Sequence, residues 1–288
     1  MSVPQSVRAR RRSTRSWTIV PLAIIVIYLI AAVAGPVLAG YNPGFTDTGN
    51  RLLPPFSHRD SGEFVLFGTD QVGQDLLGQI LQGARVSMGV GAATLLCASV
   101  LGIVAGVLSG YFGGWIDSVV MRLADVQLAF PGILLAVLVA SVLGQSILNV
   151  IIVLSIAGWV TFARVTRGQV LAAKNSDYVD AARALGAKSW HIIRTAILPA
   201  CVAPLMVIAA LDMGAIILAE ASLSFLGLGT PASAASWGGT IANGREYLGT
   251  AWWISSIPGI FLAILVVAFG LLGDALRDHL DPRLKGIR

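Results

Sequence analysis

Charge is what this sequence has least of. Of its 288 residues only 12% are Asp, Glu, Lys or Arg, while 56% are hydrophobic and the mean hydropathy is +0.78. A soluble globular domain carries about 25% charged and about 45–50% apolar residues. Half that charge cannot cover the water-facing surface of a chain this long, which excludes an ordinary soluble enzyme and makes lipid the second solvent. Cysteine is nearly missing as well. Cys97 lies inside an apolar run and Cys201 at the end of another, positions that are not oxidising, so no disulfide is expected. His58, His191 and His279 stand in three different segments, an arrangement unsuited to a metal site. No Gly-Lys pair occurs, since Lys174 and Lys188 follow Ala and Lys285 follows Leu. A P-loop needs that lysine beside backbone N–H groups to cradle phosphate. The chain is therefore not expected to bind ATP or to be an enzyme.

Long apolar runs, by contrast, are plentiful. Six of them, at 18–39, 87–111, 119–143, 147–165, 200–223 and 252–273, approach the about 20 helical residues that cross a hydrocarbon layer roughly 30 Å thick. Barrel strands would alternate apolar and polar residues, whereas VLVASVLG and AILVVAFGLL are apolar all round. The fold class expected is an all-α integral membrane protein with six transmembrane helices. With an even number of spans, both termini share one side with the 2–3 and 4–5 connections. That side collects 16 of the 20 Lys and Arg, among them Arg8, Arg10, Arg11, Arg12, Arg15, Arg164, Arg167, Arg277 and Arg283, and leaves Arg51, Arg59, Arg85 and Arg245 opposite. The positive-inside rule then places both termini in the cytoplasm. Topology also accounts for the pI near 9.6, so no nucleic-acid partner is expected. The run from Ile19 to Leu38 exceeds the about 7–15 residues of a signal-peptide core and reads as a retained first helix.

The expected organisation is a basic cytoplasmic tail over 1–16, a six-helix domain over 17–274 and a cytoplasmic tail over 275–288. Two external loops cover 40–85 and 226–250. At the end of the first, Leu76, Leu77, Ile80 and Leu81 share one helical face, which fits either a helix in the outer membrane interface or packing against the bundle. Gly102, Gly106 and Gly110 repeat at four-residue spacing, a register that lets two membrane helices approach closely. Pro131-Gly132, Pro204 and Pro258-Gly259 predict kinks or local unwinding. Asp212 and Glu220 sit inside the fifth run, where an ionisable group faces either a polar pathway or a neighbouring helix.

The cytoplasmic connection over 166–199 ends in DYVDAARALGAKSWHIIRTAILP. It is helical in pattern but too polar to span. Tyr178, Ala181, Ala182 and Leu185 recur at i, i+3, i+4 and i+7. Gly186 interrupts the helix, Trp190 and Ile193 continue an apolar surface, and Pro199 marks entry to the next span. Arg183, Lys188 and Arg194 flank what reads as a compact knob for a groove on another protein.

At these residues the chain resembles the EAA loop of ABC importer permeases, in which Glu-Ala-Ala is followed after three residues by Gly and then by Leu-Pro. Asp180, Ala181, Ala182, Gly186, Leu198 and Pro199 occupy those positions. Asp180 replaces the usual Glu, and Ala196 stands where many families have Ile. FGTDQVGQD with GAR (67–75 and 83–85), AEASLSFLGLG (219–229), SWGG (236–239) and LLGDALRDHLDPRL (271–284) resemble the dipeptide/oligopeptide (peptide/nickel group) permeases, the second permease subunit in particular.

That resemblance implies a type I importer permease fold in the cytoplasmic membrane of a prokaryote. It implies a second, homologous permease subunit, two ATPase subunits or one fused ATPase chain that bind ATP and Mg, and an extracytoplasmic substrate-binding protein. The EAA helix would sit in a cleft of the ATPase through Asp180, Ala181, Ala182, Arg183, Gly186, Leu198 and Pro199. Asp212 and Glu220 are the candidates for a translocation path, and Trp237, Arg245 and Glu246 for contact with the binding protein. Peptide is the favoured substrate, with nickel or another small solute the alternative. An ion-coupled secondary transporter would need coupling carboxylates at mid-membrane, for which Asp212 is the convincing candidate, and leaves the EAA-like loop unexplained; a membrane scaffold makes Asp212 an awkward expense; an intramembrane hydrolase lacks a Ser-His or metal constellation.

Overall fold

The computed structural model describes residues 5–39, 41–231 and 233–280. The side chains of the basic N-terminal stretch, and Arg283, Lys285 and Arg288, lie outside what is described. Ten helices are present among the described residues: α1 (Gln5–Ala39), α2 (Leu76–Phe112), α3 (Gly114–Leu128), α4 (Gly132–Leu143), α5 (Ile147–Lys174), α6 (Asp177–Ala184), α7 (Ser189–Ile192), α8 (Leu198–Phe225), α9 (Trp237–Gly244) and α10 (Trp253–Leu280). A two-stranded antiparallel hairpin, β1 (Ser57–His58) with β2 (Phe64–Val65), pairs Ser57 with Val65 and His58 with Phe64.

Among the described residues five helical stretches are long and apolar enough to cross a membrane: the first, α2, α5, the continuous run Ser189–Phe225, and α10. The pair α3 and α4, bent by 89°, meets the same criterion when its two helices are taken together, which brings the count to six. The bend falls at Phe130–Pro131, where proline lacks the N–H a continuing helix would use and displaces the preceding residue from helical geometry. Helices of 15 and 12 residues are about 22 and 18 Å long. At right angles their ends lie about 29 Å apart, still close to the roughly 30 Å of hydrocarbon. The single straight span expected over 119–143 is thus two helices meeting at an elbow.

The stretch 76–82 is likewise no separate element. Asp75 caps the helix by accepting from the Leu77 and Gly78 N–H groups, and α2 runs unbroken for 37 residues from there. Leu76 and Ile80 are buried with Ala251, Trp253 and Ile254, so this amphipathic turn packs against the bundle. The burial face departs from the apolar spacing, since Leu77 and Leu81 are only partly buried while Gln79 is buried, its amide donating to Asp70 at 2.6 Å.

The centre of the bundle is the α2–α5 seam. A Cβ on Gly102 would stand 2.4 Å from the Phe162 Cβ and 2.5 Å from the Trp159 carbonyl oxygen, and one on Gly106 2.5 Å from the Ala163 carbonyl oxygen. Backbone meets backbone along this register, the arrangement that small residues permit in lipid. Around the seam, α1 packs on α2 and α10 through Tyr28, whose hydroxyl donates to the Phe261 carbonyl at 2.9 Å. Pro204 and Pro258 sit inside α8 and α10 without ending them. The irregularity near Pro204 falls earlier instead, in a π-helical turn over Ile193–Ile197 that leads into α8.

Candidate functional site: a two-part helical knob

The helix α5 extends about nine residues past its expected end, to Lys174, and two residues later α6 begins. The knob therefore hangs from the end of a membrane-crossing helix. Its inner face is anchored by Val179, Ile192, Ile193 and Ile197, all buried among Phe162, Val170, Ala173 and Cys201. Ala182 and Ala187 lie partly buried against the same cluster. The outer face is the reverse of an ordinary surface. Leu185 is 88% exposed, Trp190 69%, and Tyr178 and Ala181 are also exposed.

Gly186 makes the two-part shape possible. Its φ is +81°, the left-handed conformation in which a Cβ is unfavourable. The Ala187 N–H donates to the Ala182 carbonyl at 3.0 Å and the Gly186 N–H to the Arg183 carbonyl at 2.9 Å, the paired bonds of a Schellman cap that closes the end of α6. The chain then turns into α7 with Leu185 and Trp190 both on the outside. Asp180 and Arg183 pair across one helical turn at 3.0 Å, both exposed. This bond orients the Arg183 fork along the knob and adds little stability. Leu198 and Pro199 open α8 beneath the knob.

The knob's root is tied to the rest of the bundle by contacts that sequence reasoning missed. Asp117, in the first turn of α3, accepts two bonds from the Arg167 guanidinium of α5, at 2.6 Å each, and one from the Ser109 hydroxyl of α2. One carboxylate thus joins three helices. The Lys174 Nζ donates to the Tyr111 carbonyl at 2.6 Å and stands 5.6 Å from the Tyr111 ring centroid. Farther along α3, Gln127 donates to the Ile156 and Ala157 carbonyls and accepts from the Trp159 indole. No local motif announces these pairs. Apart from Ser109, eight positions before Asp117, the partners lie 29 to 63 positions apart in the chain.

The two intramembrane carboxylates occupy different settings. Glu220 is fully buried, accepting from the Ser87 hydroxyl of α2 and the Ser224 hydroxyl of its own helix, each at 2.8 Å. Ser224 in turn accepts from the Thr230 N–H, so the network fixes the turn that follows α8. Asp212 is half-buried, and no hydrogen bond or ion pair engages it among the described residues.

The 226–250 loop separates its three candidates. Trp237 is a core residue, fully buried, with its indole N–H donating to the Ile80 carbonyl at 3.0 Å and its ring edge-on to Tyr28 at 5.8 Å. It cannot serve as a contact for another protein. Arg245 and Glu246 are exposed, on a 3-10 turn (Arg245–Tyr247).

Residues 102–286 match the family described as binding-protein-dependent transport system inner membrane component. The chain belongs to this family. It is 42% identical over 96% of its length to a putative peptide transport system permease protein of Brucella suis biovar 1, covering 90% of that protein. It is 38% identical over 93% of its length to the probable D,D-dipeptide transport system permease protein of Escherichia coli K12, covering 88% of it. With the oligopeptide transport system permease protein of Bacillus subtilis it shares 36% over 92%, covering 85%. Among solved structures it superposes on a chain of the inward-facing MetNI methionine ABC transporter with a TM-score of 0.55 at 18% identity, covering 70% of this chain and 96% of that one. An amino acid ABC transporter crystallised with histidines gives 0.54 at 14%, covering 68% and 91%.

The fold is that of a type I ABC permease. The protein is a multi-pass inner-membrane permease subunit of an ABC importer, a transport component that works with ATPase, permease and binding-protein partners.

Proposed function

We propose that this chain is one of two homologous membrane-spanning subunits of a peptide importer, and that residues 177–199 are the handle by which separate ATPase subunits drive it. The exposed apolar face of the knob carries this reading. Leu185, Trp190 and Tyr178 are held outward by a capped turn and rooted through α5 in the core of the bundle. Large apolar side chains facing water are what a partner's groove covers, and Asp180 with Arg183 supplies the polar edge that sets orientation.

The supporting observations extend to the remaining assignments. Relatives named for peptide, D,D-dipeptide and oligopeptide transport favour di- and oligopeptides as the substrate. The excess of Lys and Arg on one side supports cytoplasmic termini and a cytoplasmic handle. ATP and Mg belong to the ATPase subunits, two chains or one fused chain. Of the two carboxylates, Asp212 is the one assigned to the translocation path, because an intramembrane carboxylate without a partner faces water or another chain, whereas Glu220 braces α2 against α8. Arg245 and Glu246 are assigned to the rim that meets the binding protein.

Leu185→Asp tests the handle. The side chain is 88% exposed, so the substitution leaves the bundle intact and places a charge in the centre of the contact. The variant should insert normally, lose co-purifying ATPase and abolish uptake of labelled dipeptide by more than tenfold. Normal uptake with normal ATPase recovery would overturn the assignment.

A further inference from the structure

Residues 41–75 form a small cap on the first turns of α2 and α10. The Trp253 indole donates to the Thr69 carbonyl at 3.2 Å, and the Leu76 N–H to the Gly68 carbonyl at 3.0 Å. Inside the cap a polar network fixes the chain. The Arg59 guanidinium is buried and paired with Asp47 at 3.1 Å, Asp47 accepts from the Asn50 amide, and the Thr69 hydroxyl donates to the Asn50 carbonyl while accepting from the Leu53 N–H.

This scaffold maintains a backbone that its residues disfavour. Phe56 has a φ of +62° and Leu52 one of +54°, the left-handed region that bulky L residues rarely adopt. Such strain persists only where surroundings impose it, and it clusters at sites of function. Leu52 is partly buried against Leu76, Ile80 and Trp253, but at Phe56 the strain returns no burial. Phe56 is 70% exposed and Phe64 50%. Their rings lie 6.4 Å apart, and exposed His58 lies 5.3 Å from Phe64. Three rings, two on the hairpin and one on the strained residue just before it, are presented to the outside, and none of them is used as core.

We infer that Phe56, His58 and Phe64 form a contact patch for the extracytoplasmic binding protein. The inference rests on the importer reading for one point, that residues 41–75 face outward. Aromatic side chains are enriched at the centres of protein interfaces. The rim selects the partner. Asp60 and Glu63 are exposed beside the rings, while Arg59, immediately before Asp60, is buried and pairs with Asp47 at 3.1 Å and with Glu63 at 3.4 Å. An acidic rim is repelled by anionic lipid headgroups and complements an apolar patch ringed by Lys and Arg on a protein.

The test uses the assembled transporter in nanodiscs with its purified binding protein. Phe56→Gly is the informative variant, because glycine adopts φ +62° freely. The backbone at position 56 is relieved of strain while the ring is lost, so misfolding is no explanation for a defect. We expect Phe56→Gly and Phe64→Ser each to weaken binding-protein affinity at least tenfold and to lower the stimulated ATPase rate, with the basal rate unchanged. Glu63→Lys should weaken affinity in the same direction. Wild-type affinity in both ring variants overturns the inference. So does a photoreactive residue at position 56 that crosslinks only to lipid or to the second permease. If the unaltered transporter is not stimulated by any binding protein, the importer reading itself fails; if it is stimulated and the variants match it, only this patch fails.

Discussion

Asp47 and Asp75 show how far single residues on the 41–75 cap depend on their surroundings. Hydrogen bonding to the Asn50 side chain, assisted by the Asn50 N–H and by Arg59, holds the Asp47 carboxyl below its usual range against a smaller opposing effect of desolvation. Burial raises the Asp75 carboxyl, and the Leu77 and Gly78 N–H groups only partly offset that. The signs differ. A carboxyl lowered in the folded state contributes stability above its unfolded value, near about 4, that is lost as pH falls through the folded one; a raised carboxyl does the opposite. Amide hydrogen exchange from pH 6 to 3 should therefore show residues 47–63 losing protection, while the first turn of α2 at Leu77–Gly78 does not follow. Uniform loss across both would contradict this.

At the same scale, the knob's determinants were legible because they are local. Asp180, Ala181, Ala182 and Gly186 act through spacing within one helix and its cap. Ala182, however, turns partly inward beside Val179, so the outer face is Tyr178, Ala181 and Leu185. Trp237 was misleading for the opposite reason. A tryptophan in a loop reads as a surface anchor, yet its hydrogen-bond acceptor is 157 positions away at Ile80, and nothing nearby in the chain announces it.

Elements were legible where one run of sequence decides them and opaque where two must meet. Each apolar run marked a helix, and Pro131 marked the break. The 89° angle could not be read, because it depends on α3 being held to α5 by Gln127, Arg164 and Arg167. The glycine stripe of α2 declared close packing but left its partner open, which the structure identifies as α5. Since carbonyl oxygens of α5 stand 2.5 Å from where a Cβ on Gly102 or Gly106 would lie, a larger residue must separate the helices. Gly106→Leu is expected to lower the purified protein's melting temperature sharply, whereas Gly168→Leu, where a Cβ would meet nothing within 4 Å, is expected to leave it unchanged. Equal melting temperatures would show that the seam is not the bundle's centre.

For the whole molecule, the connections among α2, α3 and α5 place the handle in series with the elbow. Asp117 links Ser109 and Arg167, and α5 continues from that junction to Lys174 and the knob. A displacement of residues 177–199 would be transmitted through α5 to α3, one arm of the bent pair α3–α4. Asp117→Asn keeps the shape but removes the charge that holds Arg167 in bidentate contact. It is expected to preserve ATPase binding while lowering peptide uptake several-fold per ATP hydrolysed, and Asp117→Arg with Arg167→Asp to restore part of it. Unaltered coupling in Asp117→Asn would separate the elbow from the handle.

The most direct measurement is site-specific crosslinking from position 185 in whole cells, with a photoreactive residue replacing the exposed leucine. The account predicts one dominant adduct, an ATPase chain, that is protected from membrane-impermeant reagents added outside. Labelling of position 185 from the exterior, or adducts containing only lipid or an exported protein, would contradict it.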